Sequence, residues 1–212
     1  MAVSSTSFTK TPQAGDDTFS YTQEELLALA AYNDANQVVT LDVMSNDLGG
    51  NAKKLFSIDD GSAGFLNDLL TNNVNASWET LPSGNRIQIV NGKIQLDISH
   101  SLGGQSIASL AAGETITEAF VYSIQLGNGT LSWAKVTFTV TGANDATTGT
   151  ASATLAAGTE DTAYIVSAAN LLAGFTDVDG DTLSVSGLSA SNGAVVNNGN
   201  GTFTITPSAN FN

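Results

Sequence analysis

Apolar and polar residues alternate with a period of two along most of the chain. Val39, Leu41 and Val43 alternate with Thr40 and Asp42, and Ile94, Leu96 and Ile98 alternate with Gln95, Asp97 and Ser99. Phe120, Tyr122, Ile124 and Leu126 take every second place before Gly127-Asn128-Gly129; Trp133 follows, and then Val136, Phe138 and Val140 alternate with Thr137 and Thr139. Successive side chains of a strand point to opposite faces, so this pattern predicts strands with one buried and one wet face, as in antiparallel sheets of sandwiches. The Asn-Gly chemistry between the last two runs predicts a hairpin.

Helical signals are few. Thr22-Gln23-Glu24-Glu25 before Leu26, Leu27 and Leu29 is a capping box, in which Thr22 accepts from the third backbone N–H and Glu25 reaches back to the cap. It predicts a short helix ending near Asn33. A second helical candidate covers residues 64–70, and residues 1–13 are polar and patternless, read as a flexible lead-in.

The alternation stops at Thr141-Gly142-Ala143-Asn144-Asp145-Ala146-Thr147-Thr148-Gly149-Thr150, a small and polar stretch, and a domain boundary is expected at about Thr147. The pattern then restarts. Strands are expected at residues 151–155, 163–166 and around Leu183 and Val185, with a helical turn over 167–172. A second hairpin has Ala194 to Val196 on one side of Asn197-Asn198-Gly199-Asn200-Gly201 and Phe203 and Ile205 on the other. Asp16-Asp17, a helix and Leu41-Asp42-Val43-Met44-Ser45-Asn46-Asp47 loosely parallel Glu160-Asp161, a helical turn and Phe175-Thr176-Asp177, a hint of internal repetition. The expected fold is mainly β: two β-sandwich modules in series with one or two short helices, over 14–146 and 147–212.

Composition narrows the functions open to such modules. Of 212 residues, 20 are acidic and 6 basic, for a net charge of −14. A surface of that sign repels phosphate backbones and anionic headgroups, which argues against nucleic-acid and membrane partners and favours cations. Cysteine is absent, which removes thiol chemistry and thiolate metal sites. The single histidine, His100, follows Asp97-Ile98-Ser99 and reads as a surface or structural residue. No apolar run is long enough to span a bilayer. No basic-then-apolar export signal opens the chain, and the last residues, Ser208-Ala209-Asn210-Phe211-Asn212, follow a strand by one turn. The expectation is an excerpt from a longer exported chain, its second module incomplete and leaving an unpaired sheet edge.

Acidic residues concentrate in three places of the second half. Asp177-Val178-Asp179-Gly180-Asp181 carries carboxylates at i, i+2 and i+4, on one side if extended and converging if looped. Neighbouring charges roughly 7 Å apart repel by about 0.6 kcal/mol even in bulk water. Glu160-Asp161 and Asn144-Asp145 are the other two. Hard oxygen ligands in loops suit Ca2+, which takes six to eight oxygens, and the nitrogen and sulfur sets of zinc or copper are missing. The spacing is not that of an EF-hand, because Thr182 and Leu188 stand where that loop needs Gly and Glu. In the first module Asp16-Asp17, Asn46-Asp47 and Asp59-Asp60-Gly61 would be a second site only if the fold gathered them; turn formation explains them equally well.

Catalysis is disfavoured. The acids sit at strand ends beside small residues without an aromatic platform for a sugar, and the Ser-rich stretches lack a His or Lys base at a motif spacing. Trp78 and Trp133 could stack on a glycan, but burial in a core is the commoner fate of an indole.

Residues from Leu110-Ala111-Ala112-Gly113-Glu114-Thr115 through Phe120-Val121-Tyr122-Ser123-Ile124, the run from Gly129 to Val140, and Thr141-Gly142-Ala143-Asn144-Asp145-Ala146 resemble the VCBS repeat, whose linker is of this Gly-x-Asn-Asp-Ala kind. Glu160-Asp161-Thr162, Leu171-Leu172, Phe175 to Leu183 and Thr206-Pro207-Ser208-Ala209-Asn210-Phe211-Asn212 resemble the bacterial cadherin-like tandem repeat. Both occur in long surface adhesins, often exported by a type I system and often bearing RTX repeats. The resemblance implies a string of Ig/cadherin-like β-sandwiches, extracellular and non-enzymatic, with Ca2+ at module junctions and a role in adhesion or biofilm. Partners would be neighbouring repeats of the same chain and a cell-surface or matrix ligand. Carried over by position, the implied metal ligands are Asp145, Glu160, Asp161, Asp177, Asp179 and Asp181. Two departures stand out. The cadherin-like unit continues past Asn-Phe-Asn with a Gly and a further hairpin, and residues 62–86 match neither pattern. The alternative is a module that itself grips glycan or protein through Trp78, Trp133 or that 62–86 segment.

Overall fold

Fourteen strands form among the residues described by the computed structural model, which are 13–61, 69, 70, 72, 74, 77–155 and 157–210. They fall into two units, Met1–Ala143 and Asn144–Asn212. The chain is mainly β and built as β-sandwich modules. The expected lead-in lies outside the described residues except for Gln13. Of the helical candidate over 64–70, only Leu69 and Leu70 are described, and both are helical.

The first unit contains β1 (Asp17–Thr22), α1 (Gln23–Ala28), β2 (Tyr32–Asn33), β3 (Val38–Leu41), β4 (Lys54–Asp59), β5 (Glu79–Thr80), β6 (Arg86–Val90), β7 (Lys93–Asp97), β8 (Thr115–Gln125) and β9 (Leu131–Thr141). One sheet has the order β1-β9-β8-β4, with β1 parallel to β9 and the other pairs antiparallel; the second has the order β2-β3-β7-β6-β5. The alternating residues meet in one core shared by both sheets. Val39 and Leu41 of β3 and Ile94 and Leu96 of β7 join Tyr122 and Ile124 of β8 and Val136, Phe138 and Val140 of β9 there, all at most 1 % exposed. The β8–β9 hairpin turns at 126–130 through an N–H of Leu126 onto Thr130 O, with Gly129 at φ +84°.

Helix α1 has both halves of the expected capping box: Thr22 Oγ1 accepts from the Glu25 N–H, and Glu25 Oε2 accepts from the Thr22 N–H. It is shorter than expected. Leu29 already has extended dihedrals, and Tyr32 and Asn33 pair with Val39 and Val38. Only Gln23 and Leu26 of the helix are buried, so continuing it would add little apolar burial, whereas turning adds a strand to the sheet. Trp133 also departs from expectation and is 51 % exposed. It faces opposite to Ala134 and Val136 on the same strand. Trp78 lies under the Arg86 guanidinium, 5.3 Å from ring centre to Cζ. His100 is exposed, and its ring packs so close to Gly84 that a Cβ there would fall 2.4 Å from it.

The second unit contains β10 (Thr148–Gly149), β11 (Tyr164–Ser167), α2 (Ala168–Leu171), β12 (Phe175–Thr176), β13 (Gly193–Asn197) and β14 (Thr202–Pro207). β10 pairs with β12, and β11-β14-β13 form a three-stranded sheet. Ser167 caps α2 by accepting from the Asn170 N–H. The hairpin β13–β14 stands where expected. Residues 151–155 and the Leu183–Val185 region are not strands, correcting those expectations. Leu183 and Val185 keep the alternation and, like Leu188, are half-buried between exposed neighbours, but they pair with no strand among the described residues. Their backbone groups stay outside any sheet, and their side chains line an open groove beside Leu171, Leu172 and Phe175.

Candidate metal centre

The loop after β12 follows from its residue types. Asp177 stands at its start, and its Oδ1 accepts backbone N–H groups from Asp179 (3.1 Å) and Asp181 (3.4 Å). Gly180, at φ +78°, supplies the left-handed residue that lets the chain double back. The carboxylates therefore converge in a loop rather than line up along a strand. Asp177, Asp179 and Asp181 each offer an oxygen such that all three lie within 4.8 Å of one another.

Asp179 is the most constrained of the three. Its Oδ2 accepts the backbone N–H of Asp145 at 2.7 Å, which ties the first residues of the unit to the loop. Its Oδ1 is buried and has no hydrogen-bond partner. An orphaned carboxylate oxygen beside two further carboxylates is costly in a protein interior and is relieved by a cation. Thr147 adds a hydroxyl 3.5 Å from Asp177 Oδ2. The donor set is all oxygen, which fits Ca2+ and not the softer metals. Asp145, Asp177 and Asp181 border the same open groove of about 740 Å³, whose lining mixes Leu171, Leu172 and Phe175 with Thr182, Ser184 and Ser186.

Glu160 and Asp161 stand elsewhere in the unit, outside that carboxylate group. Asp161 Oδ1 accepts the N–H of Asn210 at 2.9 Å, and Glu160 borders a separate groove with Tyr164 and Pro207. The N–H of Asp145 is the contact that carries this residue into the cluster, a backbone role that reading carboxylates alone would miss.

In the first unit the fold gathers Asp16-Asp17 and Asn46-Asp47 but not Asp59-Asp60-Gly61. Asp59 Oδ1 accepts the Gly61 N–H at 2.7 Å, a local turn. Asn46 Nδ2 donates to Gly15 O and Asp16 O, and the Gly15 N–H donates to Asp47 Oδ1. The hub of this cluster is the hydroxyl of Tyr122, a fully buried core residue that the alternation assigned to packing alone.

A family model described as a cadherin-like domain matches residues 143–212, essentially the second unit. No curated protein matches the chain.

Proposed function

We propose that the chain is a spacer from a large extracellular surface protein of the adhesin type, and that its second module is stiffened by Ca2+ held by Asp177, Asp179 and Asp181. A cadherin-like module fits an adhesive or structural role, is typically non-enzymatic and generally binds Ca2+. The observation that carries the reading is Asp179, with one oxygen fastened to the Asp145 N–H and the other buried without a partner. When bound, the ion would neutralise three mutually repelling carboxylates. Asp179 then links the loop to the segment leading into the module, and Asp177 holds the loop closed through its two backbone N–H bonds. Asp145 enters this reading through its backbone N–H and borders the same groove; Glu160 and Asp161 are left out of this set. The first module is read as a VCBS-type repeat, and export by a type I system belongs to the same reading.

Calorimetric titration of Ca2+ into the full chain tests the site. Binding to the native state alone stabilises by about 2.7 kcal/mol at a hundredfold excess over the dissociation constant. A thermal scan should therefore separate calcium from chelator in the wild type, and much less in Asp179→Asn. Identical scans for the wild type in both buffers would defeat the proposal.

A second reading rests on Trp133, whose indole is 51 % exposed on the outer face of β9. It would make the first module a glycan binder, and a specific glycan-array signal abolished by Trp133→Ala would favour it.

A further inference from the structure

Residues 182–190 follow the acidic loop without joining any sheet. Leu183 and Val185 are half-buried, while Thr182, Ser184 and Ser186 are exposed, the two-sided pattern of an extended chain with one face on the protein. Gly187, at φ +64°, ends that run. Among the described residues, no backbone N–H or carbonyl of 182–190 pairs with another backbone group. The stretch therefore presents an open row of donors and acceptors to a neighbouring strand.

Proteins blunt such edges with charge or proline. Elsewhere in this chain they are blunted: β1, at one edge of its sheet, is preceded by Asp16 and opens on Asp17, and β4, at the other edge, opens on the exposed Lys54. The stretch 182–190 carries neither a charge nor a proline, and no charged residue follows Asp181 in the sequence.

We propose that residues 182–186 are a self-association edge, on which a second copy of the chain pairs antiparallel about a two-fold axis near Ser184. The stretch is complementary to itself. With the axis there, Leu183 stands opposite the second copy's Val185, and the hydroxyl row of Thr182, Ser184 and Ser186 meets the same row, both favourable cross-strand pairings. Leu183 and Val185 line the open groove with Leu171, Leu172 and Phe175, so pairing lengthens an apolar wall and removes part of it from water.

Charge selects both the orientation and the partner. Parallel pairing in register would bring Asp181 onto its counterpart at about the 5 Å spacing of neighbouring strands. Antiparallel pairing about Ser184 sets the two Asp181 residues roughly 20 Å apart along the strands, more than twice the Debye length of about 8 Å at physiological salt. A basic partner strand gains little, because the paired residues have no charge to meet it. A second copy brings the same uncharged row, so the chain's net charge of −14 is kept away from the contact. The edge is separate from the proposed Ca2+ site, whose carboxylates lie outside the paired residues.

Sedimentation equilibrium of the full chain in chelator tests this. The wild type should move from the mass of one chain towards that of two as concentration rises. A single-chain mass throughout would overturn the proposal, and so would association only in the presence of Ca2+, the mark of bridging by the metal. Ser184 is exposed, so charges can be placed there without entering the core. Ser184→Lys and Ser184→Glu each set like charges against each other across the pair and should weaken association at least about tenfold. Mixing the two variants should bring association back to within about threefold of the wild type. Undiminished association of the single variants, or a mixture no tighter than either alone, would also overturn it. Hydrogen exchange needs no variant and decides alone if neither folds: amides of 182–186 should gain protection as concentration rises, and new protection on β13 instead would count against this edge.

Discussion

Arg86 and Asp97 stand opposite each other on β6 and β7, and the Arg86 Nε and Nη2 donate to Asp97 Oδ2 at 3.1 and 2.5 Å. The carboxylate side chain is only 4 % exposed, while the arginine is about half in solvent. Burial alone would raise Asp97, but hydrogen bonds from Ser99 and the Arg86 guanidinium outweigh it and hold the group below its ordinary 3.8. Its stabilisation is therefore present above the unfolded value and lost as pH falls through the lower folded one. Arg86→Gln strips the buried carboxylate of a charged donor and should cost about 1–3 kcal/mol in chemical denaturation; the loss of stability on acidification should also become shallower. At this scale the sequence was only partly readable. Val136, Phe138 and Val140 set the parity of β9 and so point Trp133 outward, a signal present in the sequence but overridden by the general habit of indoles. The polar role of Tyr122 was not readable, because it depends on Asp17 and Asp47 arriving from distant parts of the chain.

Elements were legible where local chemistry agreed with tertiary pairing. The capping box of α1 is a case, and Thr22→Ala should destabilise the first unit by about 1 kcal/mol in thermal unfolding. The substitution removes the side-chain acceptor for the Glu25 N–H. The length of α1 was not legible, since it ends where β2 finds its partner in β3, a long-range choice. The hairpins β8–β9 and β13–β14 were legible because each joins two apolar-containing runs through Asn-Gly turns. Leu183 and Val185 show the limit of the pattern. Alternation reports which side of an extended chain is wet, and a strand needs a neighbour as well.

At the scale of the whole molecule the two units differ in how much apolar surface they hide. The first has a contiguous core of more than twenty side chains, whereas in the second only Val166 and Phe203 among the described apolar residues are buried. Hydrophobic burial scales with area, so calorimetry should resolve two transitions, the second unit melting first, with chelator lowering that transition and leaving the other in place. A single transition insensitive to chelator would contradict this. The boundary was expected at about Thr147, and the units divide between Ala143 and Asn144. The small-residue linker is plain in the sequence, but its share in the second unit rests on the Asp145 N–H.

The parallel pairing of β1 with β9 has a mechanical consequence. Asp17 lies beside Val136 and Thr22 beside Thr141, so the chain reaches β1 at one end of this ladder and leaves β9 at the other. A pull applied through the two ends of the module runs along the strands. The six paired positions are then loaded together in shear instead of being peeled apart one by one, an arrangement suited to a link that must carry tension.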